Sequence, residues 1–282
     1  MSQQVFDYTL PDGLCGTFLE EITRTRIPEI AGASRKWPAE AIRPALDRAP
    51  TTRSLRRSLM RKSPAVIAEL KKASPSAGLL RPDFDPLKLG RELEDAGAAA
   101  LSVVTEPRYF QGTLEHIAAL RWSVGVPILR KDFIVDSYQV LEARHAGADS
   151  VLLIAALLDD RLLRRLREET EALGMEALVE VHSADELGRA LRSGATIVGV
   201  NNRDLRTLQI SLDVSFELAK QFPREILAIS ESGIRTADDI RRLSDAGYRG
   251  FLVGEQLMRS ASPGAALASV VQKVASPQRS AS

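Results

Sequence analysis

The amino-acid sequence predicts an α/β fold, a (β/α)8 TIM barrel with an N-terminal helical extension. Three observations predict it. Short apolar runs begin near residues 65, 100, 127, 150, 176, 197, 227 and 250. Amphipathic helical stretches separate them, and several close on a glycine: Gly97, Gly147, Gly194 and Gly247. A glycine just past the last turn suits a helix that must fold back toward a sheet. Finally, five of the runs end in charges or an amide: Glu69 with Lys71, then Lys131, Glu180, Asn201 and Glu231. Lys and Glu are almost never fully buried unless paired. Strand ends that converge on a polar floor are where a parallel barrel keeps its chemistry. A doubly wound open sheet is the alternative, but no Gly-x-Gly-x-x-Gly turn follows the first run.

The chain has 282 residues, enough for one large barrel core. Apolar side chains make up 44%, and 38 basic residues offset 37 acidic ones, so no global field favours nucleic acid or a membrane surface. No apolar run approaches the ~18 residues of a membrane span. The start Met1-Ser-Gln-Gln-Val-Phe-Asp7 lacks a basic region and an apolar h-region, so no secretory signal is expected. Cys15 is the only cysteine, which fits a reducing compartment. These features predict a cytoplasmic protein with no nucleic-acid or membrane partner, acting as a monomer.

Residues 1–64 form the expected extension, 65–274 the barrel and 275–282 a flexible tail. In the extension Phe18–Ile22 starts a helix that Pro28 should break or restart. Trp37-Pro38 and Pro44 interrupt the next part. Arg53, Arg56, Arg57, Arg61 and Lys62 read as a solvated helix face, or as a basic rim steering an anion into the barrel mouth. Helix starts follow at Asp85-Pro86, Thr113, Ser137, Asp159-Asp160, Ser183 and Thr236. There N-cap side chains, first-turn acids or an N1 proline suit the helix end.

Along each strand, alternate residues share a face. Glu69 and Lys71 therefore project with Ala65 and Ile67, Lys131 with Leu129, Glu180 with Leu178, and Glu231 with Leu227 and Ile229. The parities agree, so these lysines and glutamates converge on one site. Mutually paired charges that merely close the barrel are the alternative, although buried ion pairs are a poor source of stability. Ser232-Gly233 and Gly254-Glu255 follow the last two strands. Glycine admits close backbone approach, and this pair of loops is the usual phosphate cradle of such barrels. His182 suits a structural or rim role, and His116 and His145 read as surface residues. No metal-ligand spacing is present.

Five motifs carry a resemblance: Ile67-Ala-Glu-Leu-Lys71-Lys-Ala-Ser74-Pro-Ser-Ala-Gly78, Leu129-Arg-Lys131-Asp-Phe133, Leu178-Val-Glu180-Val-His182, Asn201-Asn-Arg203-Asp-Leu205 and Ser230-Glu231-Ser232-Gly233-Ile234. In this order the chain resembles the indole-3-glycerol phosphate synthase family over about residues 50 to 270. The resemblance implies ring closure of 1-(2-carboxyphenylamino)-1-deoxyribulose 5-phosphate, a phosphorylated small molecule, with loss of CO2 and water. It implies no cofactor, and it implies that the extension, residues 1–64, is a lid over the barrel mouth. By the same resemblance Lys131 is the general acid at the ketone, Lys71 with Ser74 holds the carboxylate, and Glu180 serves the dehydration. Glu69, Asn201 and Glu231 position the lysines and substrate hydroxyls, while Phe110 and Phe133 flank the anthranilate ring. Arg203 contacts substrate or braces its loop. The division of duties between Lys71 and Lys131 stays open, because neighbouring charges set both. Another phosphate-binding barrel enzyme, such as a phosphoribosyl isomerase, or a non-catalytic phosphometabolite-binding barrel are the competing readings.

Overall fold

A computed structural model describes residues 8–204 and 207–276; the expected tail 277–282 and Leu205 of the fourth motif lie outside the described residues. The barrel strands are β1 (Ala65–Leu70), β2 (Ala100–Val104), β3 (Ile128–Lys131), β4 (Ser150–Ile154), β5 (Glu176–Val181), β6 (Ile197–Asn201), β7 (Leu227–Glu231) and β8 (Gly250–Val253). They form a closed barrel in which β1 pairs with both β2 and β8, and every pairing is parallel. The (β/α)8 expectation therefore holds, and the open sheet is excluded by closure. Their residues are buried almost without exception, because helices cover the outside and side chains fill the inside.

Most of the expected caps form, although Thr113 holds its N-cap position without a side-chain bond. Asp85, Asp159, Ser183 and Thr236 each accept a backbone N–H from the first turn of their helix. The helix Ser137–Ala146 is capped one residue earlier, by Asp136 in a reciprocal pair with Gln139. Gly147 and Gly194 cap their helices with φ of 92° and 90°, where a side chain would be strained. One element was not foreseen: a two-stranded antiparallel hairpin, Ala73–Ser74 with Gly78–Leu79, after β1.

Three expectations need correction. The helix Phe18–Lys36 runs through Pro28 without a break. An interior proline costs about 3 kcal/mol, but Leu19, Ile22, Arg26 and Ile30 lie buried on one face at helical spacing. Burial of that face carries the helix past the missing N–H. The interruption at Trp37-Pro38 is present, and a 3-10 turn follows over Arg43–Arg48.

The basic cluster is split: Arg57 and Arg61 are exposed, as a solvated face requires, while Arg53, Arg56 and Lys62 bond backbone carbonyls, and the cluster is no rim at the mouth. Arg56 donates to the carbonyls of Thr196 (2.9 Å) and Glu225 (2.7 Å), both just ahead of strands. Arg53 does the same to Val126 (2.9 Å), and Lys62 to Ala98 (3.0 Å). These side chains close the amino-terminal end of the barrel, opposite the site. His116 and His145 are half-buried rather than free on the surface, in ring contact with Phe84 and Trp37.

Candidate active site

The carboxyl ends of the strands open into a cavity of about 680 Å³. Glu69 of β1 and Lys71 just past its end, Lys131 of β3, Glu180 of β5 and Asn201 of β6 line it, as the strand parity requires. Leu152, Ile154 and Leu252 form its apolar floor.

Lys131 occupies the centre. Its Nζ lies 3.0 Å from Glu180 Oε2 and 3.1 Å from Glu231 Oε2. Burial alone would lower the Lys131 pKa, but Glu180, Glu231 and Glu69 outweigh it and hold the ammonium charged. Lys71 Nζ lies 2.6 Å from Glu69 Oε1. Burial raises the Glu69 carboxyl, and the charges of Lys71 and Lys131 more than reverse that, so it titrates below the ordinary range. Glu231 goes the other way. Burial raises it, Lys131 lowers it, and Glu180 and Glu69 raise it further, leaving it at about 7. Below about pH 7 Glu231 therefore keeps its proton even with Lys131 beside it.

Asn201 fixes Glu180 by donating from Nδ2 to Oε1 at 3.1 Å, while its own Oδ1 accepts the Arg203 N–H at 3.0 Å. Glu231 reaches Lys131 by crossing in front of β6. A Cβ on Gly199 would lie 1.9 Å from Glu231 Oε1, so the glycine is there for space. The Asn-Asn pair is also explained. Asn202 turns away from the cavity and donates to Ser230 Oγ and the Glu231 carbonyl, both at 3.0 Å.

Phe110 and Phe133 face each other at the mouth with ring centroids 6.3 Å apart. Ser232, Gly233, Gly254 and Glu255 line the far side. Ser232 and Gly233 both have positive φ, 65° and 78°. Gly254 precedes the short helix Glu255–Arg259. The Glu255 carboxylate sits 3.1 Å from Arg259 and 3.6 Å from Arg203, so its side chain is a partner of cations. Arg203 also donates to Ser76 Oγ at 3.4 Å.

Two predicted residues lie off the cavity wall: Glu231, buried and reaching the site through Lys131, and Ser74. Ser74 is buried in the hairpin, off the cavity wall, and Ser76 and Ala77 line the cavity instead. The unforeseen hairpin turns the chain between them. Sequence reasoning also assigned no role to Arg235, Arg259 or Asp132, which line the cavity. Arg259 stands four residues after Glu255 on one helical face, a spacing that could have flagged it.

The model of the indole-3-glycerol phosphate synthase family matches residues 19–270. An indole-3-glycerol phosphate synthase of Carboxydothermus hydrogenoformans is 46% identical over 258 residues, 89% of this chain and 98% of that one. One from Laribacter hongkongensis is 47% identical over 255 residues, covering 89% and 97%. One from Koribacter versatilis is 52% identical over 207 residues, covering 73% and 80%. Solved structures share the barrel at low identity. A thiamine phosphate pyrophosphorylase from Pyrococcus furiosus superposes with a TM-score of 0.57 at 17% identity, covering 77% of this chain and all of that one. A match over nearly the whole barrel, together with relatives this similar along most of their length, leaves one assignment: the chain belongs to the indole-3-glycerol phosphate synthase family.

Proposed function

We propose that this cavity performs its family's reaction with Lys131 as the proton donor to the substrate ketone. The activity is that of an indole-3-glycerol-phosphate synthase, a carboxy-lyase of tryptophan biosynthesis acting on a phosphorylated small molecule. The single observation that supports the mechanism is the position of Lys131, charged and held between Glu180 and Glu231 at the centre of the cavity.

Ring closure needs the anthranilate ring carbon that bears the carboxylate to attack the ketone carbon. The ketone oxygen gains negative charge as the new bond forms, and the Lys131 ammonium neutralises it by giving up a proton. Carboxylate departure as CO2 then returns an electron pair to the ring. Loss of the hydroxyl as water, with a proton from the adjacent carbon, completes the indole, and Glu180 accepts and returns protons there. Lys71, at the edge of the cavity beside Glu69, attracts the substrate carboxylate until it leaves. Glu69, Asn201 and Glu231 hold the two lysines and Glu180 in place. Phe110 and Phe133 flank the aromatic ring. Arg203 braces its loop against Ser76 and Glu255 and presents charge to substrate.

The phosphate belongs at the opposite wall. The turn at Ser232-Gly233 and the start of the helix at Gly254-Glu255 supply backbone N–H groups. Arg203, Arg235 and Arg259 supply charge. Glu255 contributes its main chain, since its carboxylate would repel a dianion. Ser74 acts by supporting the hairpin rather than by touching the carboxylate.

The domain organisation we propose is one catalytic barrel over residues 65–274 with residues 8–64 of the extension docked on it; residues 1–7 lie outside the described residues. Leu14, Leu19, Ile30, Ala39 and Ile42 join the same hydrophobic cluster as the barrel, which supports an extension over a separate domain. A single exposed, free cysteine supports a cytoplasmic setting; no helix among the described residues is long and apolar enough to cross a membrane. Incubation with 1-(2-carboxyphenylamino)-1-deoxyribulose 5-phosphate should produce indole fluorescence. Absence of that signal from folded protein would refute the reading.

A further inference from the structure

Arg26 reaches the site from outside the barrel. It is buried on the helix Phe18–Lys36, and its Nη2 donates to Asp132 Oδ2 at 2.9 Å. Asp132 lies between Lys131 and Phe133 in the chain. Its Oδ2 also accepts from Arg130 at 2.9 Å and Thr105 Oγ1 at 2.7 Å, and its Oδ1 accepts the Phe133 N–H at 2.8 Å. One carboxylate thus ties together the extension, the end of β2 and the turn that carries Phe133.

The same helix holds the chain neighbour of the other phenylalanine, Phe110. Tyr109 donates to Glu21 at 2.7 Å and meets Phe18 edge-on at 5.3 Å. Next to it, Glu106 accepts the N–H groups of Arg108 (3.0 Å), Tyr109 (2.7 Å) and Phe110 (3.0 Å). Both aromatic turns are therefore fixed from one helix. Yet among the described residues nothing before Glu69 lines the cavity.

We infer that Arg26 and Asp132 are positioning residues, through which the N-terminal helix sets the Phe110–Phe133 pair without touching substrate. This rests on the reading above that the pair receives the anthranilate ring. A stability role alone is a poor account of the contact. Burying charges costs free energy, and a buried ion pair often stabilises no more than apolar residues of the same volume. Asp132 moreover has enough partners without the extension. Burial raises its carboxyl, and Arg26 with Arg130 outweighs that; with Arg26 removed, Arg130, Thr105 and the Phe133 N–H still surround it. What Arg26 adds is a fixed distance between helix and turn. Small displacements of positioning groups are expensive in rate, since about 1 Å can cost about a hundredfold.

The test uses two competitive probes, 2-aminobenzoate for the ring subsite and inorganic phosphate for the other end, with full-length wild type and Arg26→Met. The expected result is a rise of about fivefold or more in both KM and the 2-aminobenzoate inhibition constant, with the phosphate constant unchanged. Arg26→Lys, which keeps the charge, should recover part of the loss. Equal weakening of both probes would mean general loosening and would overturn the inference, as would no change in either. If Arg26→Met does not fold, Arg26→Met combined with Asp132→Asn removes both charges and is read in the same way. Wild-type protein that fails to turn over the ring-closure substrate would count against the assigned reaction itself. Active wild type beside an unchanged Arg26→Met sinks the positioning role alone.

Discussion

Lys131 and Glu231 share one hydrogen bond but carry opposite expectations. General acid catalysis contributes about 10²- to 10⁴-fold, so Lys131→Ala should lower kcat by about a hundredfold or more. Circular dichroism should show the barrel intact; a variant retaining wild-type kcat would remove Lys131 from the mechanism. Glu231 titrates at about 7 against an ordinary value of 4.5. Between those values the folded chain keeps a proton that the unfolded chain has released. This group's contribution to stability is therefore present at low pH and lost as pH rises through about 7. Glu231→Gln does not titrate. Urea unfolding from pH 4 to pH 8 should show the variant gaining on wild type through that window and holding a constant difference above it. A difference independent of pH would mean that Glu231 is not protonated in the folded protein.

At the scale of elements, the two glycine loops differ in what a side chain would meet. A Cβ at Gly254 would lie 2.4 Å from Glu69 Oε1 and 2.9 Å from its Cβ. Gly254→Ala should therefore displace Glu69 and with it Lys71, lowering kcat by about tenfold or more. At Gly233 a Cβ would lie 2.7 Å from Ile210 Cγ2, on a residue with φ of +78°. Gly233→Ala should distort the turn and raise KM more than it lowers kcat. Steady-state kinetics of the two variants, with phosphate as a competitor, separates them; the same KM effect from both would return Gly254 to the phosphate site alone. The short helix Leu55–Arg61 gives a third contrast. Arg56→Ala, at the far end of the barrel, should cost about 1 kcal/mol of stability and leave kcat/KM and its salt dependence unchanged. A steeper salt dependence in wild type than in the variant would restore the steering role.

Across the whole molecule the extension and barrel share one hydrophobic cluster but not one cavity. Deleting residues 1–45 should leave a folded barrel of lowered Tm, because the barrel loses the apolar cover that Leu19, Ile30 and Ile42 give it. Its KM should rise through loss of the Arg26 and Glu21 contacts. Unchanged kinetics would detach the extension from the site, and failure to fold would make it part of the core.

Repetition made the barrel legible in the sequence. Each helix–Gly–strand unit obeys the same local rules, and strand alternation alone decides which side chains face inward. Glu69, Lys131, Glu180, Asn201 and Glu231 could be placed together for that reason. Local rules cannot report contacts made between distant segments. Pro28 looked like a break because propensity is counted residue by residue, whereas burial of Leu19 and Ile30 in the cluster shared with the barrel decided the helix. Arg53 and Arg56 looked like a charged face because the carbonyls they meet, at Val126, Thr196 and Glu225, lie far along the chain. Ser74 was misplaced by a hairpin of only two residues a side, too short to leave a pattern. The fold and the polar floor follow from periodicity and were readable without coordinates. Only the tertiary structure decided that Arg26 grips Asp132 across 106 residues, because a buried ion pair exists only where folding brings its two halves within reach.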